Sequence, residues 1–294
     1  MSNLQELKSS TFSGSPLAVV GHPVKHSLSP RMHNAALRQM ALADARYKDW
    51  HYAHFDILPE ELAEALPLFW EKGFVGMNLT LPHKVQALDL VCRVDPAAAV
   101  MGAVNTLHRT ADGYVGYNTD GYGLAKAVEE AFAKPMQAFP AVILLGAGGA
   151  ARAIAAQCLM DGVTMLFIGN RNQGRLQDLL AQLAPVLASA QVFPFDLTAS
   201  LPAFPEGSLI INATSLGLKE FDSSPMPLDT LFGDCCVYDA TYGVPSNGLQ
   251  RECRKKGFPY ASGIGMLLWQ GVKALKIWTG GAVPADVMRD ALNL

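Results

Sequence analysis

Four short polar segments hold the side chains best suited to chemistry. They are G-H-P-V-K-H-S-L-S-P at 21–30, G-M-N-L-T-L-P-H-K at 76–84, A-V-N-T at 103–106 and G-Y-N-T-D-G at 116–121. Their Ser, Asn, Thr, Lys and Asp residues suit a small ligand bearing hydroxyls and a carboxylate. Lys84 is the most informative. If Pro82 starts a helix, Lys84 lies in its first turn, where a cation opposes the helix dipole and its pKa falls. Partial burial lowers that pKa further, and an adjacent carboxylate raises it. A Lys/Asp pair can therefore be tuned to exchange a proton with a substrate hydroxyl. Each residue also has a plainer reading. Lys84 can be a solvated surface lysine, Asp120 a turn or N-cap residue, and Ser27 and Ser29 caps of a helix beginning at Pro30. Asn78 and Thr80 alternate along a strand and share a face. Two polar side chains there point to a site, because a core favours apolar residues. His22, His26 and His33 are read as structural: Pro23 interrupts helical pairing of the first two, and no H-E-x-x-H occurs. No G-x-S-x-G elbow supports a serine hydrolase.

A second kind of chemistry is written at L-G-A-G-G-A-A, where Gly146, Gly148 and Ala151 fit G-x-G-x-x-A. The apolar run 141–145 precedes it and an Ala-rich stretch follows, which is the strand–turn–helix setting a dinucleotide needs. Gly146 permits the tight turn, Gly148 lets amides approach a pyrophosphate, and Ala151 lets helix and strand lie close. The alternative is a glycine turn with no ligand. An NAD site carries Asp or Glu about 20 residues past the first glycine. Here the sequence reads I-G-N-R-N-Q-G-R at 168–175, with Arg171 and Arg175 and no carboxylate. Guanidinium matches a 2′-phosphate in charge and geometry, so NADP(H) is predicted over NAD. The plainer reading of the two arginines is a solvated helix start.

These residues need a scaffold. A domain takes up roughly 150 residues. The chain has 294 residues, which suggests two domains or one large one. It is 50% apolar and 17% charged, with net charge −3. That balance excludes general disorder and gives no footprint for nucleic acid or anionic membrane. A spanning helix needs an apolar run of roughly 18 residues. No run in the chain approaches that length, and the opening M-S-N-L-Q-E-L-K-S-S lacks a secretion signal's apolar core. Five cysteines without C-x-x-C spacing fit a reducing cytoplasm. Cys235 and Cys236 read as small buried residues on or before a strand.

Strands are expected near 17–20, 75–81, 104–107, 141–145, 165–168, 192–195, 209–211 and 237–240. Pro59 opens a helix carrying Leu62, Leu66, Phe69 and Trp70, with a kink or early stop at Pro67. The next helical face holds Leu176, Leu179, Leu180 and Leu183. The fold class is α/β in two domains: an N-terminal α/β substrate domain (1–119 plus 263–294) and a Rossmann-type doubly wound parallel sheet (120–262). A last helix from about Met266 packs back on the first domain.

Taken in order, the segments resemble the shikimate dehydrogenase family, whose members interconvert 3-dehydroshikimate and shikimate. The match runs from Val20 to about Gly271. It includes G-x-P-x-x-H-S-x-S-P-x-x-H-N through Asn34, the Asn78–Lys84 segment, A-V-N-T and N-T-D-G. It continues through the glycine turn, I-N-A-T-S-L-G from Ile211, D-A-T-Y from Asp239 and G-I-G-M-L-L-W-Q from Gly263. The resemblance implies that Lys84 and Asp120 form the catalytic pair beside the C3 oxygen. It implies that Ser27 and Ser29 bind the substrate carboxylate with help from Tyr242, and that Asn78, Thr80, Asn105 and Gln270 hold ring hydroxyls. It also implies that Gly146, Ala147, Gly148, Gly149 and Ala150 hold the pyrophosphate. Asn170, Arg171 and Arg175 then hold the 2′-phosphate, with Ala240, Gly263 and Met266 near the nicotinamide. Asn172 stands where many members carry Thr, and Trp269 is bulkier than the family pattern leads one to expect. The implied activity is an NADP-dependent oxidoreductase acting on a CH–OH group, in a monomer or homodimer with a small-molecule substrate. The nearest alternative is a quinate/shikimate dehydrogenase of mixed NAD/NADP use, against which Ser29 and Arg171 argue. A folate-linked methylene dehydrogenase does not suit S-x-S and N-T-D-G, and a non-enzymatic relative does not suit a retained Lys84 and Asp120.

Overall fold

A computed structural model describes residues 2–187 and 189–294. They form two compact units: 2–119 with 267–294, and the described residues of 120–266.

In the first unit, apolar β2 (Ser15–Gly21) is buried from Pro16 to Gly21, as a strand covered on both faces must be. It pairs in parallel with β3 (Trp50–Asp56) and β4 (Gly76–Leu79). The sheet is mixed beyond that point. β6 (Thr106–Thr110) runs antiparallel to β4 and to β7 (Gly113–Tyr117). The short β1 (Ser2–Asn3) and β5 (Arg93–Val94) complete a seven-stranded sheet of order β1-β3-β2-β4-β6-β7-β5. Phe55, Phe69 and Phe74 pack edge to face in its core. Their ring centroids lie 5.0 Å (Phe55 to Phe69), 5.6 Å (Phe55 to Phe74) and 4.8 Å (Phe69 to Phe74) apart.

Two expectations need correction in this unit. Pro59 opens a 3-10 turn, Pro59–Glu61, and the α-helix begins at Leu62. That helix runs through Pro67 to Glu71 without stopping. Pro67 and Ala63, the residue whose carbonyl loses a donor, both face solvent, where water can replace the bond. Leu62, Ala65, Leu66 and Phe69 bury the opposite face.

The second unit is a wholly parallel sheet of β8 (Val142–Leu145), β9 (Met165–Asn170), β10 (Gln191–Asp196), β11 (Leu209–Asn212), β12 (Cys236–Asp239) and β13 (Tyr260–Ser262). Its order β10-β9-β8-β11-β12-β13 is the doubly wound 3-2-1-4-5-6 arrangement. Helix Gly149–Met160 follows β8 and buries Ala151, Ala153, Ile154, Ala155 and Ala156, mostly small residues that let it lie close to the sheet. Cys235 is buried just before β12, while Cys236 opens the strand half-exposed.

The final long helix, Ile264–Thr279, starts in the second unit, where the Met266 amide donates to Tyr238 Oη at 2.9 Å. From Leu267 it belongs to the first unit. There Trp278 Nε1 donates to the Leu107 carbonyl at 2.8 Å and covers Gly76, where a Cβ would collide with the indole. Among the described residues, no helix is long and apolar enough to cross a membrane.

Candidate active site

In the first unit the polar segments gather after β2, after β4 and around β6. Helix Ser29–Ala43 begins one residue before Pro30, and Leu28, not a serine, holds its N-cap position. Ser27 Oγ instead accepts the Ser29 amide at 3.3 Å, and Ser29 is buried. His33 lies one turn on, its Nδ1 paired with the Ser29 carbonyl at 2.9 Å and its ring stacked on Tyr52 at 4.3 Å. Burial pushes the His33 pKa down to about 4, which keeps the ring neutral. His22 pairs with Asp56 at 2.5 Å, and His26 is exposed. Among the described residues, no group of three or more His, Cys, Asp or Glu is placed to hold a metal ion.

Asn78 is buried and donates from Nδ2 to the Asn105 carbonyl (3.2 Å) and Thr106 Oγ1 (3.0 Å). Asn105 donates from Nδ2 to Thr119 Oγ1 at 3.0 Å, and its Oδ1 accepts the Thr119 amide at 2.7 Å. A buried amide–hydroxyl network this well satisfied is rigid, so its ligand-facing atoms are pre-set. Thr80 lies one residue past β4, although its amide still bonds the Val20 carbonyl at 2.9 Å.

Lys84 is the second residue of a single helical turn, His83–Gln86, with Pro82 at the cap. The turn is pinned on two sides. The Lys84 carbonyl accepts the Val104 amide at 2.8 Å, and the buried His83 ring pairs through Nε2 with the Ile57 carbonyl at 2.9 Å. Gln270, buried on the long helix, donates to the Leu267 carbonyl at 2.8 Å. The Arg289 guanidinium lies over the Trp269 ring at 5.9 Å.

In the second unit, β8 runs into Gly146, whose φ of +116° suits glycine and whose Cβ would lie 2.8 Å from the Ala213 carbonyl oxygen. Gly148 caps the following helix with no side-chain bond to its first amides, and a Cβ at Gly148 or Gly149 would meet nothing. Open space against unspent helix-start amides, at the topological switch beside β8, is the shape a pyrophosphate fits. Ala147 is buried in the turn and Ala150 is exposed.

Beyond β9, Asn170 Nδ2 donates to the Asn172 carbonyl at 2.7 Å, and Asn172 Oδ1 caps the Arg175 amide at 3.0 Å. Asn172 thus performs the cap that a threonine hydroxyl could. Arg171 and Arg175 flank it, both exposed. At the far ends of β12 and β13, the Ala240 amide donates to the Asn212 carbonyl at 2.8 Å and the Gly263 amide to the Thr241 carbonyl at 3.0 Å. A Cβ at Gly263 would collide with Ala240, so glycine is required there.

Asp120 is buried and is the first residue of helix Asp120–Phe132. Tyr242, 37% exposed, has its pKa raised by partial burial and further by the Asp120 charge.

Two residues escape the sequence reading. Tyr52 donates to Asn78 Oδ1 at 2.8 Å. Asp239, fully buried, accepts Asn212 Nδ2 (2.9 Å), the Thr241 amide (3.0 Å) and Thr241 Oγ1 (2.8 Å) on Oδ1. Its Oδ2 accepts Asn247 Nδ2 (2.7 Å) and the Tyr260 hydroxyl (3.1 Å). This carboxylate ties together the loops beyond β11 and β12. The available signal was the D-A-T order of an Asx turn.

A doubly wound unit with an open glycine turn, joined in one chain to an α/β unit rich in buried amides and hydroxyls, fits the class of two-domain α/β proteins that bind a nucleotide and a small polar ligand. The shikimate dehydrogenase substrate binding domain matches residues 19–107, and the shikimate 5'-dehydrogenase C-terminal domain matches residues 263–292. A shikimate dehydrogenase (NADP(+)) of Desulforamulus reducens is 37% identical over 277 residues, covering 93% of this chain and 92% of that one. The crystal structure of shikimate 5-dehydrogenase from Thermus thermophilus in complex with NADP(H) and shikimate superposes with TM-score 0.80 at 33% identity, covering 95% and 98% of the two chains. A quinate dehydrogenase from Corynebacterium glutamicum in complex with NAD reaches TM-score 0.84 at 27% identity, covering 96% and 99%. The chain belongs to the shikimate dehydrogenase family.

Proposed function

We propose that this chain is an NADP-dependent shikimate dehydrogenase, reversibly reducing 3-dehydroshikimate to shikimate. One observation carries the reading. An open, amide-lined glycine turn, followed by arginines where an NAD site places a carboxylate, occurs in a chain 37% identical over 277 residues to an NADP-named shikimate dehydrogenase.

Residues 120–262 hold the nucleotide: Gly146 to Ala150 the pyrophosphate, and Asn170, Arg171 and Arg175 the 2′-phosphate. Ala240, with Gly263 and Met266 just beyond, lies by the nicotinamide. The bound nucleotide supplies the hydride. Residues 1–119 and 263–294 bind the substrate. Ser27 and Ser29, with Tyr242, hold its carboxylate, and Asn78, Thr80, Asn105 and Gln270 hold its hydroxyls. Lys84, as the ammonium, stabilises the negative charge growing on the C3 oxygen and donates its proton there. Asp120 orients Lys84. Five free cysteines suit a reducing compartment, so we place the enzyme in the cytoplasm, as a monomer or homodimer.

Incubation with shikimate and NADP, followed by chromatography of the products, tests the reading. Equimolar reduced nucleotide and 3-dehydroshikimate are expected. Failure to consume shikimate would contradict it.

A further inference from the structure

The H-N pair that closes the first motif, His33 and Asn34, has no part in the mechanism above, and neither does Tyr52, on which both converge. β3 places Tyr52 opposite Leu17 of β2. Asn34 grips its main chain at both ends, Nδ2 donating to the Tyr52 carbonyl at 2.8 Å and Oδ1 accepting its amide at 2.9 Å. The His33 ring stacks on the phenol with an interplanar angle of 8° while its Nδ1 holds the Ser29 carbonyl. The motif therefore clamps the serine-bearing turn to one buried tyrosine, which is 3% exposed.

That tyrosine acts on Asn78. The Asn105 carbonyl can only accept, so the amide nitrogen of Asn78 must face it. Both amide hydrogens are then spent, on Asn105 and on Thr106 Oγ1. The Asn78 oxygen accepts a hydrogen bond from the Tyr52 hydroxyl and keeps one lone pair. Burial lifts the Tyr52 pKa well above its usual value, so the phenol remains a donor at any working pH.

We propose that Tyr52 is a positioning residue for substrate: its hydroxyl locks Asn78 so that the amide shows a ligand only an acceptor, making Asn78 a reader of a substrate hydroxyl. A carbonyl oxygen or ether at the same place meets a lone pair and is rejected. The inference rests on the substrate-binding role given to Asn78 above.

Tyr52→Phe keeps the ring, the stack and the grip of Asn34, and removes only the hydroxyl, which donates to Asn78 and also meets the Ser29 side chain. We expect the KM for shikimate to rise about tenfold, the loss of one buried hydrogen-bond constraint, with kcat much less affected. The KM for NADP and the thermal midpoint should stay near wild type. In an Asn78→Ala background the same substitution should cost much less than it does in the wild type, because the amide it orients is gone and only the hydroxyl's contact with the Ser29 side chain is left to lose. An unchanged shikimate KM, KM values for both ligands rising in step, or effects that multiply in the double variant would overturn the role. If the unmodified chain does not turn over shikimate, the functional reading and this inference both fall. Normal wild-type kinetics with an unaltered Tyr52→Phe remove only the inference.

Discussion

Lys84 is the group on which the proposed chemistry turns, and its main chain is fixed before any ligand arrives, through the Val104 amide and the His83–Ile57 pair. Fixing the backbone of a proton donor spares it reorganisation during reaction. Lys84→Ala is expected to lower kcat by at least ~10²-fold with little change in shikimate binding, the usual size for a general acid–base group. Steady-state rates with an independent dissociation constant check this, and near-normal turnover would remove Lys84 from the mechanism. Arg171→Ala should raise the KM for NADP by about tenfold or more and leave the KM for NAD nearly unchanged, since only the 2′-phosphate needs the guanidinium. Equal effects on both nucleotides would instead make Arg171 a general surface charge. Residue types exposed some of this scale and hid the rest. Lys84 stands out because a cation at a helix start opposes the dipole, and Asn78 because a polar side chain on a strand face, where a core would favour apolar residues, points to a site. Tyr52 does not stand out, because an aromatic in a strand reads as core, and only the fold brings its hydroxyl to Asn78.

At the scale of elements, the glycine turn after β8 separates conformational need from ligand need. Gly146 has positive φ and a carbonyl oxygen at its back. Gly146→Ala should therefore destabilise the fold by more than about 1 kcal/mol and weaken nucleotide binding as a consequence. At Gly148 φ is −85° and a Cβ meets nothing, so Gly148→Ala should keep its thermal midpoint. The KM for NADP should still rise, because the methyl intrudes where the pyrophosphate approaches. A Gly148→Ala enzyme with wild-type nucleotide affinity would argue against phosphates at this turn. The β8, β9 and β11 strands were legible because a strand covered on both faces reads as a continuous apolar run. β3 was not: W-H-Y-A-H-F-D carries two histidines and an aspartate, and its polar atoms are met by side chains such as Asn34 that lie elsewhere in sequence. β7, G-Y-V-G-Y, is punctuated by glycines that read as turns. Gly116 fits there because its missing Cβ makes room for Val104.

For the molecule as a whole, histidines kept neutral by burial contribute to the loss of stability in acid. In the unfolded chain a histidine takes up its proton near 6.5, but His33 in the fold resists until about 4. Burial lowers His83 and His108 in the same direction. Between those limits the unfolded state binds more protons, so stability is full above about 6.5 and falls as the pH drops toward 4, by about 3 kcal/mol from His33 alone. Urea midpoints at pH 7 and pH 5 should show this loss, and His33→Phe, which keeps the ring against Tyr52, should shrink the difference. A pH dependence unaltered in that variant would assign the acid response elsewhere. The most direct measurement for the enzyme as a whole compares kcat/KM for shikimate and quinate, each with NADP and with NAD. Shikimate with NADP is expected to be the best of the four pairs, with the penalty for NAD abolished by Arg171→Ala. Quinate or NAD in the preferred pair would contradict the proposed function.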